Sequence, residues 1–102
     1  MAFSRSSTVV GTSATDLLAT VSGETVVIGL VVANVSSSTD NITVLINNGS
    51  DNFHLIKSAP VPVGSTLSVL DGKVVLGSGD SVKVYAGTSA TALEATISVL
   101  TI

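Results

Sequence analysis

The chain has 102 residues, of which 45% are hydrophobic and only 11% charged, and its formal net charge is −3. Four basic residues and three aromatic residues argue against a nucleic-acid surface, and the absence of cysteine excludes disulfides, thiol nucleophiles and cysteine metal sites. The length fits one domain. Because the mean hydropathy is +0.68 and no apolar run approaches the roughly 20 residues of a membrane-spanning helix, we expect apolar surface to be buried between copies of the chain.

The first eight residues are mostly polar, contain Phe3, and carry the only arginine, Arg5. They show no clear hydrophobic period, which predicts an N-terminal arm, residues 1–8, that is disordered alone and ordered by a neighbour. Phe3 and Arg5 are the candidate interface residues. Phe3 is expected to fill an apolar pocket and Arg5 to pair with a carboxylate. The alternative is a frayed tail without function.

Residues 9–102 predict a single small all-β sandwich, Ig-like or jelly-roll-like, of eight or nine short, mostly antiparallel strands. Val, Ile, Thr, Ser and Gly dominate, and good helix formers are scarce. Turn signals such as Asn48-Gly49 and Asp71-Gly72 separate the apolar runs about every ten residues. The predicted strands are 7–10, 17–21, 25–34, 41–46, 52–58, 67–70, 74–76, 81–86 and 93–102.

Two segments carry further predictions about the sandwich. Residues 25–34, TVVIGLVVAN, are apolar at nearly every position, which predicts a central strand covered from both sides. Residues 60–65, PVPVGS, contain both prolines. Proline cannot donate to a strand ladder, so this segment must cross between sheets or lie at an edge.

A phrase occurs twice, as GTSATDLLATV at 11–21 and as GTSATALEATI at 87–97. Each copy predicts a polar turn, led by glycine, that feeds an alternating strand. In one interpretation these are two similar turn–strand units without a closer relation. In the other, the two terminal strands are pseudo-equivalent and lie near each other at one end of the sandwich.

No residue pattern predicts catalysis, cofactor binding or a metal site. The one histidine, His54, lies in NFHLIK and is interpreted as a strand residue on the face opposite Phe53, because no second ligand type is near it in sequence. The carboxylates fall mostly at turns, where Asp51, Asp71 and Asp80 are expected to shape the backbone by Asx-type hydrogen bonds. We therefore expect a protein that is not an enzyme and takes no cofactor.

One stretch resembles a known family. PVPVGSTLSVLDGKVVLGSGDSVKVYA, residues 60–86, is similar to a pattern in small virion structural proteins of tailed bacteriophages. There a crossover containing proline precedes GSxLxVLDGKxxL, then GDxVxVxA and a terminal alternating strand. IGLVVANVSSSTDNITVLI, residues 28–46, is similar to the first half of that pattern. The resemblance spans residues 25–102, and the order and spacing of the pieces carry it.

The resemblance implies a non-enzymatic virion protein, with capsid decoration as the first expectation and a neck, collar or tail accessory subunit as the alternative. It implies partners such as the major capsid protein or neck and tail proteins. The high hydropathy and low charge predict a homo-oligomer, a closed ring such as a trimer, and the composition predicts no nucleic acid and no membrane as partners. The expected location is the virion, assembled in the host bacterial cytoplasm, since MAFSRSSTVV lacks the apolar stretch of a signal peptide. A carbohydrate-binding sandwich is the alternative from another class, although the chain has no Trp and one Tyr.

Overall fold

The computed structural model describes residues 2–70 and 72–102, and these residues form nine β-strands and no helix. In this part of the chain, accordingly, no helix is long and apolar enough to cross a membrane. The strands are β1 (Ala2–Val9), β2 (Thr15–Leu18), β3 (Thr25–Asn34), β4 (Asp40–Asn47), β5 (Asn52–Val61), β6 (Thr66–Ser68), β7 (Val74–Leu76), β8 (Ser81–Ala86) and β9 (Leu93–Thr101).

The strands pair into two antiparallel sheets. The larger sheet has the order β1-β9-β3-β6, with β7 also paired to β3, and the smaller sheet has the order β2-β8-β4-β5. Because β6 pairs with residues 31–33 of β3 and β7 with residues 25–27, these two short strands act as one interrupted strand. The pairing is then nested, β1 with β9, β2 with β8, β3 with β6 and β7, and β4 with β5. This order is that of a jelly roll, so the predicted all-β sandwich is confirmed.

Local sequence patterns predicted most strand positions. β3, β7 and β8 have the predicted bounds, and β4 and β9 differ by one residue at their ends. β5 extends to Val61 and carries Pro60 along the edge of the smaller sheet, where a missing N–H donor leaves no ladder bond unmade. The chain then crosses to β6 in the larger sheet, so the proline segment lies at an edge and also crosses between sheets.

The N-terminal segment differs from the predicted arm. Residues Ala2–Val9 form β1, which pairs with β9 without a register shift from Ala2↔Thr101 to Val9↔Glu94. The described part of 1–8 is therefore an edge strand, and no break in the sheet separates it from the sandwich at residue 9. Its residues opposite the core residues of β9 are Ser4, Ser6 and Thr8, and small hydroxyl residues give no hydrophobic period even where β9 supplies a regular pairing partner.

The core lies between the sheets and is aliphatic. Its fully buried members come from strands of both sheets and include Leu17, Leu30, Ile42, Leu76, Leu93 and Ile97. The smaller sheet covers one face of the larger sheet, and the core fills that interface. The opposite face of the larger sheet therefore remains open in the single chain.

Candidate interaction surface

β3 is apolar on both sides, and one of those sides lies on the open face of the larger sheet. Val27, Leu30 and Val32 are buried in the core, whereas Ile28 and Val31 are 38% and 40% exposed on the other side. The prediction that β3 is covered from both sides is wrong for the single chain, because a two-layer sandwich covers one face of each sheet. A register shift between Val27 and Gly29 adds Ile28 as an extra residue along this strand.

Strand pairing aligns four apolar side chains across this open face. Phe3 pairs with Leu100, Leu100 pairs with Val26, and Val26 pairs with Val75. Directly opposite residues on one face have Cβ atoms about 5 Å apart, so their side chains contact one another. Phe3 is 74% exposed and Val75 69% exposed at the two ends. We call these four residues, Phe3, Leu100, Val26 and Val75, the apolar row.

The next two rows of the open face carry mostly small or polar side chains, apart from Val31, which pairs with Thr96. Arg5 pairs with Ser98, which pairs with Gly29, and Ser7 pairs with Thr96. The Ser7 and Thr96 hydroxyl oxygens lie 2.9 Å apart in a hydrogen bond. This part of the face therefore carries one charged side chain, Arg5.

The last row of the face brings the second charge. Val9 pairs with Glu94, and Glu94 pairs with Ala33. Arg5 and Glu94 are thus separated by the Ser7–Thr96 row. The face as a whole is broad and nearly neutral, which suits contact with another protein more than binding of a charged ligand.

The two predicted interface residues lie together on this face. Phe3 and Arg5 line one open depression with Ile28 and Ser98, and a neighbouring depression is lined by Ser7, Thr8, Val9, Glu94 and Thr96. The ion pair formed within residues 2–70 and 72–102 joins Lys83 Nζ to Asp16 Oδ1 at 2.7 Å on the smaller sheet. Within the described residues Arg5 forms no ion pair, and its pairing with a carboxylate stays a prediction.

Sequence reasoning missed the rest of the apolar row. Leu100, Val26 and Val75 belong to strands that were predicted, but which face of each strand is open depends on the order of strands in the sheets. One signal was available in the sequence. A strand that is apolar on both faces, such as β3, requires cover on its second face, and a chain of this size has no third layer to supply it.

A second feature is the polar end of the sandwich, which we call the loop end. It is formed by the four connections that cross between the sheets, at 10–14, 35–39, 62–65 and 87–92. Both copies of the repeated phrase begin here. The first copy begins in the connection from β1 to β2 and the second in the connection from β8 to β9. The N–H of Ala86, the residue before the second copy, donates to Gly11 O at 2.7 Å. The turns of the two copies therefore lie close together at one end of the sandwich, whereas the strands that follow them, β2 and β9, belong to different sheets, so the pseudo-equivalence of the two strands stays an interpretation. In the first copy the chain crosses from the larger sheet to the smaller sheet, and in the second copy it crosses back.

Asp40 organises the loop end. Its Oδ1 accepts hydrogen bonds from Asn41 N–H at 2.8 Å and from Thr88 N–H and Oγ1–H, each at 3.0 Å, and its Oδ2 accepts one from Ser89 N–H at 2.9 Å. Burial alone would raise the pKa of Asp40, but the bonds from Ser89, Asn41 and Thr88 together hold that pKa below its ordinary value. Asp40 is therefore an ionised structural residue at neutral pH.

Asn34 supports the neighbouring loop in the same way. Its Nδ2–H₂ donates to Ser38 O and Val61 O, both at 2.8 Å, and its Oδ1 accepts from Ser36 N–H at 2.9 Å. Asn34 and Asp40 are both buried. The bonds of Asn34 join the loop at 35–39 to the end of β5, and those of Asp40 join the start of β4 to the loop at 87–92.

The residues examined for chemistry lie apart. His54 is exposed on β5, next to Phe53 in an alternating strand. Among the described residues, no group of three His, Asp or Glu side chains comes close enough together to hold a metal ion. Asp80 Oδ2 accepts from Gly77 N–H at 2.9 Å, as a turn aspartate should. At the Asn-Gly turn the side chain that accepts is Asn48 and not the predicted Asp51, whose N–H donates to Asn48 Oδ1. The predicted turn residue Asp71 lies outside the described residues.

Comparison with known proteins adds no identity. Scans against protein-family models, curated proteins and solved structures find no significant match. The open face of the larger sheet, with Phe3 and Arg5, therefore stands on its geometry alone.

Proposed function

We propose that the chain is a non-enzymatic structural subunit of a tailed-bacteriophage virion, a capsid decoration protein that binds the particle in many copies and stabilises it. The observation that carries the proposal is the open face of the larger sheet, where the apolar row crosses four strands and ends at exposed Phe3 and Val75. The occupant that we assign to this face is a shell protein of the particle.

Burial of this face supplies the driving force for attachment. Removing apolar surface from water contributes about 25 cal/mol per Å², and Phe3, 74% exposed at the β1 end of the apolar row, is the aromatic side chain that this row offers to a partner. The face carries one positive and one negative side chain, Arg5 and Glu94, so little charge has to be desolvated. Such a surface suits dense packing of many identical subunits.

The resemblance to virion proteins supports the setting. Residues 60–86 include the end of β5, the crossing to β6, and all of β6, β7 and β8, so the similar stretch spans both sheets and not one hairpin. The jelly roll is also a frequent architecture of viral structural domains, although a fold alone does not establish a function.

The carbohydrate-binding alternative is less well supported. Sugar rings stack on adjacent aromatic side chains, whereas Phe3 lies on β1 of the larger sheet and Phe53 and Tyr85 lie on β5 and β8 of the smaller sheet. Tyr85 pairs with Thr43 and Phe53 with Ile46, so these two aromatics do not form a platform.

The test is the presence and copy number of the chain in purified phage particles. Quantitative mass spectrometry and immunogold labelling should find it on the head in a number comparable to the major capsid protein, encoded beside capsid genes. A few copies at one vertex would indicate the neck or tail alternative. Absence from particles, or a gene among sugar-metabolism genes, would refute the virion proposal.

A matched pair of variants tests the face itself. Phe3→Ser and Phe53→Ser remove exposed phenylalanines, 74% and 57% exposed, from the larger and the smaller sheet respectively. Phe3→Ser should weaken rebinding to stripped particles by about thirtyfold, the loss typical of an interface hot spot, and Phe53→Ser should leave it unchanged. Equal binding by both variants would contradict the assignment of this face.

A further inference from the structure

The jelly roll has four sheet edges, and three of them are blunted. β6 and β7 are three residues long, and β2 has four residues with a register shift. β5 contains Pro60, and Ser58 has a φ of 52°. Short strands, irregular pairing and proline are the usual protections against strand-to-strand association.

β1 has none of these protections. It is eight residues long, pairs with β9 in one unbroken register, and contains no proline or lysine. Within the described residues no strand lies on its other side. A long, regular open edge of this kind is a template for another strand.

The hydrogen bonds at the end of β1 identify which backbone groups are free. Val10 N–H donates to Leu93 O at 2.8 Å, and paired residues in an antiparallel ladder alternate between bonded and non-bonded positions. In the observed register, even-numbered residues of β1 therefore bond to β9. The N–H and C=O groups of the odd-numbered residues point to the open edge, at Phe3, Arg5, Ser7 and Val9.

We infer that the partner at this edge is a second copy of the chain, joined through β1 to β1 across a two-fold axis beside Ser6. In that register Phe3 lies opposite Val9 of the partner subunit, and Arg5 lies opposite Ser7 of the partner subunit. All four edge-facing residues are then paired, and each pair exchanges two bonds, giving about eight backbone hydrogen bonds.

Charge and apolar surface select this register over its neighbours. An axis at Arg5 would place the two guanidinium groups directly opposite each other, which is destabilising, and an axis at Ser7 would leave Phe3 without a partner residue. With the axis beside Ser6, the apolar row continues onto Val9 of the partner subunit. The two five-stranded sheets become one sheet, and the open face is doubled.

Two-fold symmetry also fits a chain with one regular edge. A three-fold ring needs a head-to-tail contact between two different surfaces, and β1 finds no second regular edge in the described chain to receive it. The inference goes beyond the proposed function, and it replaces the trimer expected from the sequence by a dimer.

The first experiment follows backbone hydrogen exchange by NMR in the full chain, diluted and concentrated. In the dilute monomer, amides of the even residues of β1 should be protected and those of Arg5, Ser7 and Val9 should exchange rapidly. On dimerisation the odd amides should become protected as well. Odd amides that stay fast in a dimer, a monomer at every concentration in sedimentation, or a trimeric mass would each overturn the inference.

The second experiment tests the register with two substitutions at one position. Ser7→Glu should tighten the dimer and Ser7→Lys should weaken it, each on the order of tenfold in Kd, because the contact with Arg5 of the partner subunit occurs twice. Both variants lose the same hydrogen bond to Thr96, so each controls for the other. In the Arg5→Gln background the difference should vanish, and an unchanged difference there would overturn the register.

These readouts use purified protein without particles. A failure of dimerisation therefore leaves the virion proposal standing, and absence from particles leaves the dimer standing.

Discussion

Asp40 is the residue whose loss should most specifically destabilise the loop end. Asp40→Asn keeps the side-chain volume but removes the charge and one acceptor oxygen. The amide oxygen can keep the bonds from Asn41 and Thr88, and the new amide nitrogen then faces Ser89 N–H, which lies 2.9 Å from Oδ2. Two donors would face each other at that position.

The magnitude follows from the bonds and their exposure. A hydrogen bond to a charged group contributes about 1.5–3 kcal/mol, and a buried donor left without an acceptor costs about 1–3 kcal/mol. Ser89 is half-buried and Thr88 is exposed, so water offsets part of the loss. We expect Asp40→Asn to lower the free energy of unfolding by about 2–3 kcal/mol, which lowers the Tm by roughly 10–15 °C in a domain of this size.

The effect should depend on pH with a defined sign. The pKa of Asp40 is lowered in the folded chain, so its contribution to stability is complete above the ordinary aspartate range, at about pH 5 and higher. It is lost as the pH falls through that range toward the lower folded pKa. The gap in stability between the native chain and Asp40→Asn should therefore narrow below about pH 4.

Urea unfolding of the two proteins at neutral and acidic pH checks both statements. Asp51→Asn is the matched control, because it removes the same charge from the exposed turn before β5, and it should change stability by less than about 0.5 kcal/mol. Equal stability of the two variants at neutral pH, or a gap that persists unchanged at acidic pH, would refute the role of Asp40.

Three further predictions concern packing and surface charge. A Cβ at Gly87 would lie 3.3 Å from Asp40 Oδ1, whereas a Cβ at Gly23 would meet nothing within 4 Å. In thermal unfolding, Gly87→Ala should therefore be destabilised by about 1–2 kcal/mol and Gly23→Ala should be nearly unchanged. A larger loss of stability in Gly23→Ala than in Gly87→Ala would contradict this. Leu30 is fully buried, and Leu30→Ala should lower the free energy of unfolding in urea by about 2–5 kcal/mol. A decrease of less than about 1 kcal/mol would contradict the place of Leu30 in the core. The ion pair of Lys83 is partly exposed, and Lys83→Met should change stability by at most about 1 kcal/mol at low salt; a larger, salt-independent loss would show another role.

The strand positions were largely predictable because each depends on local chemistry. β7 and β8 are short apolar runs bounded by glycine-containing turns, and a turn residue acts on its own backbone. β1 and β2 were exceptions, and β2 lies at Thr15–Leu18 where 17–21 was predicted. β1 is the more informative of the two. The serines and threonines of β1 form no hydrophobic period that would predict a strand from the local sequence. The segment is a strand because it pairs with β9, which lies almost a whole chain away in sequence.

The candidate surface was predictable in part. Phe3 and Arg5 stood out by residue type in a polar segment, but their alignment with Ser98, Leu100 and Val26 depends on pairing between strands distant in sequence. Residue type identifies which side chains favour an interface. Register decides which of them are neighbours.

The sequence by itself determined an all-β chain with most of its strand positions, because period, β-propensity and turn chemistry act over a few residues. Only the tertiary structure decided the jelly-roll order, the edge position of β1 and the burial of Asp40 beneath the loop at 87–89. Those features depend on contacts between segments tens of residues apart. The second apolar side of β3 depends on both the local sequence and the tertiary structure. Its composition is local, but whether that side is covered depends on how many layers the fold builds.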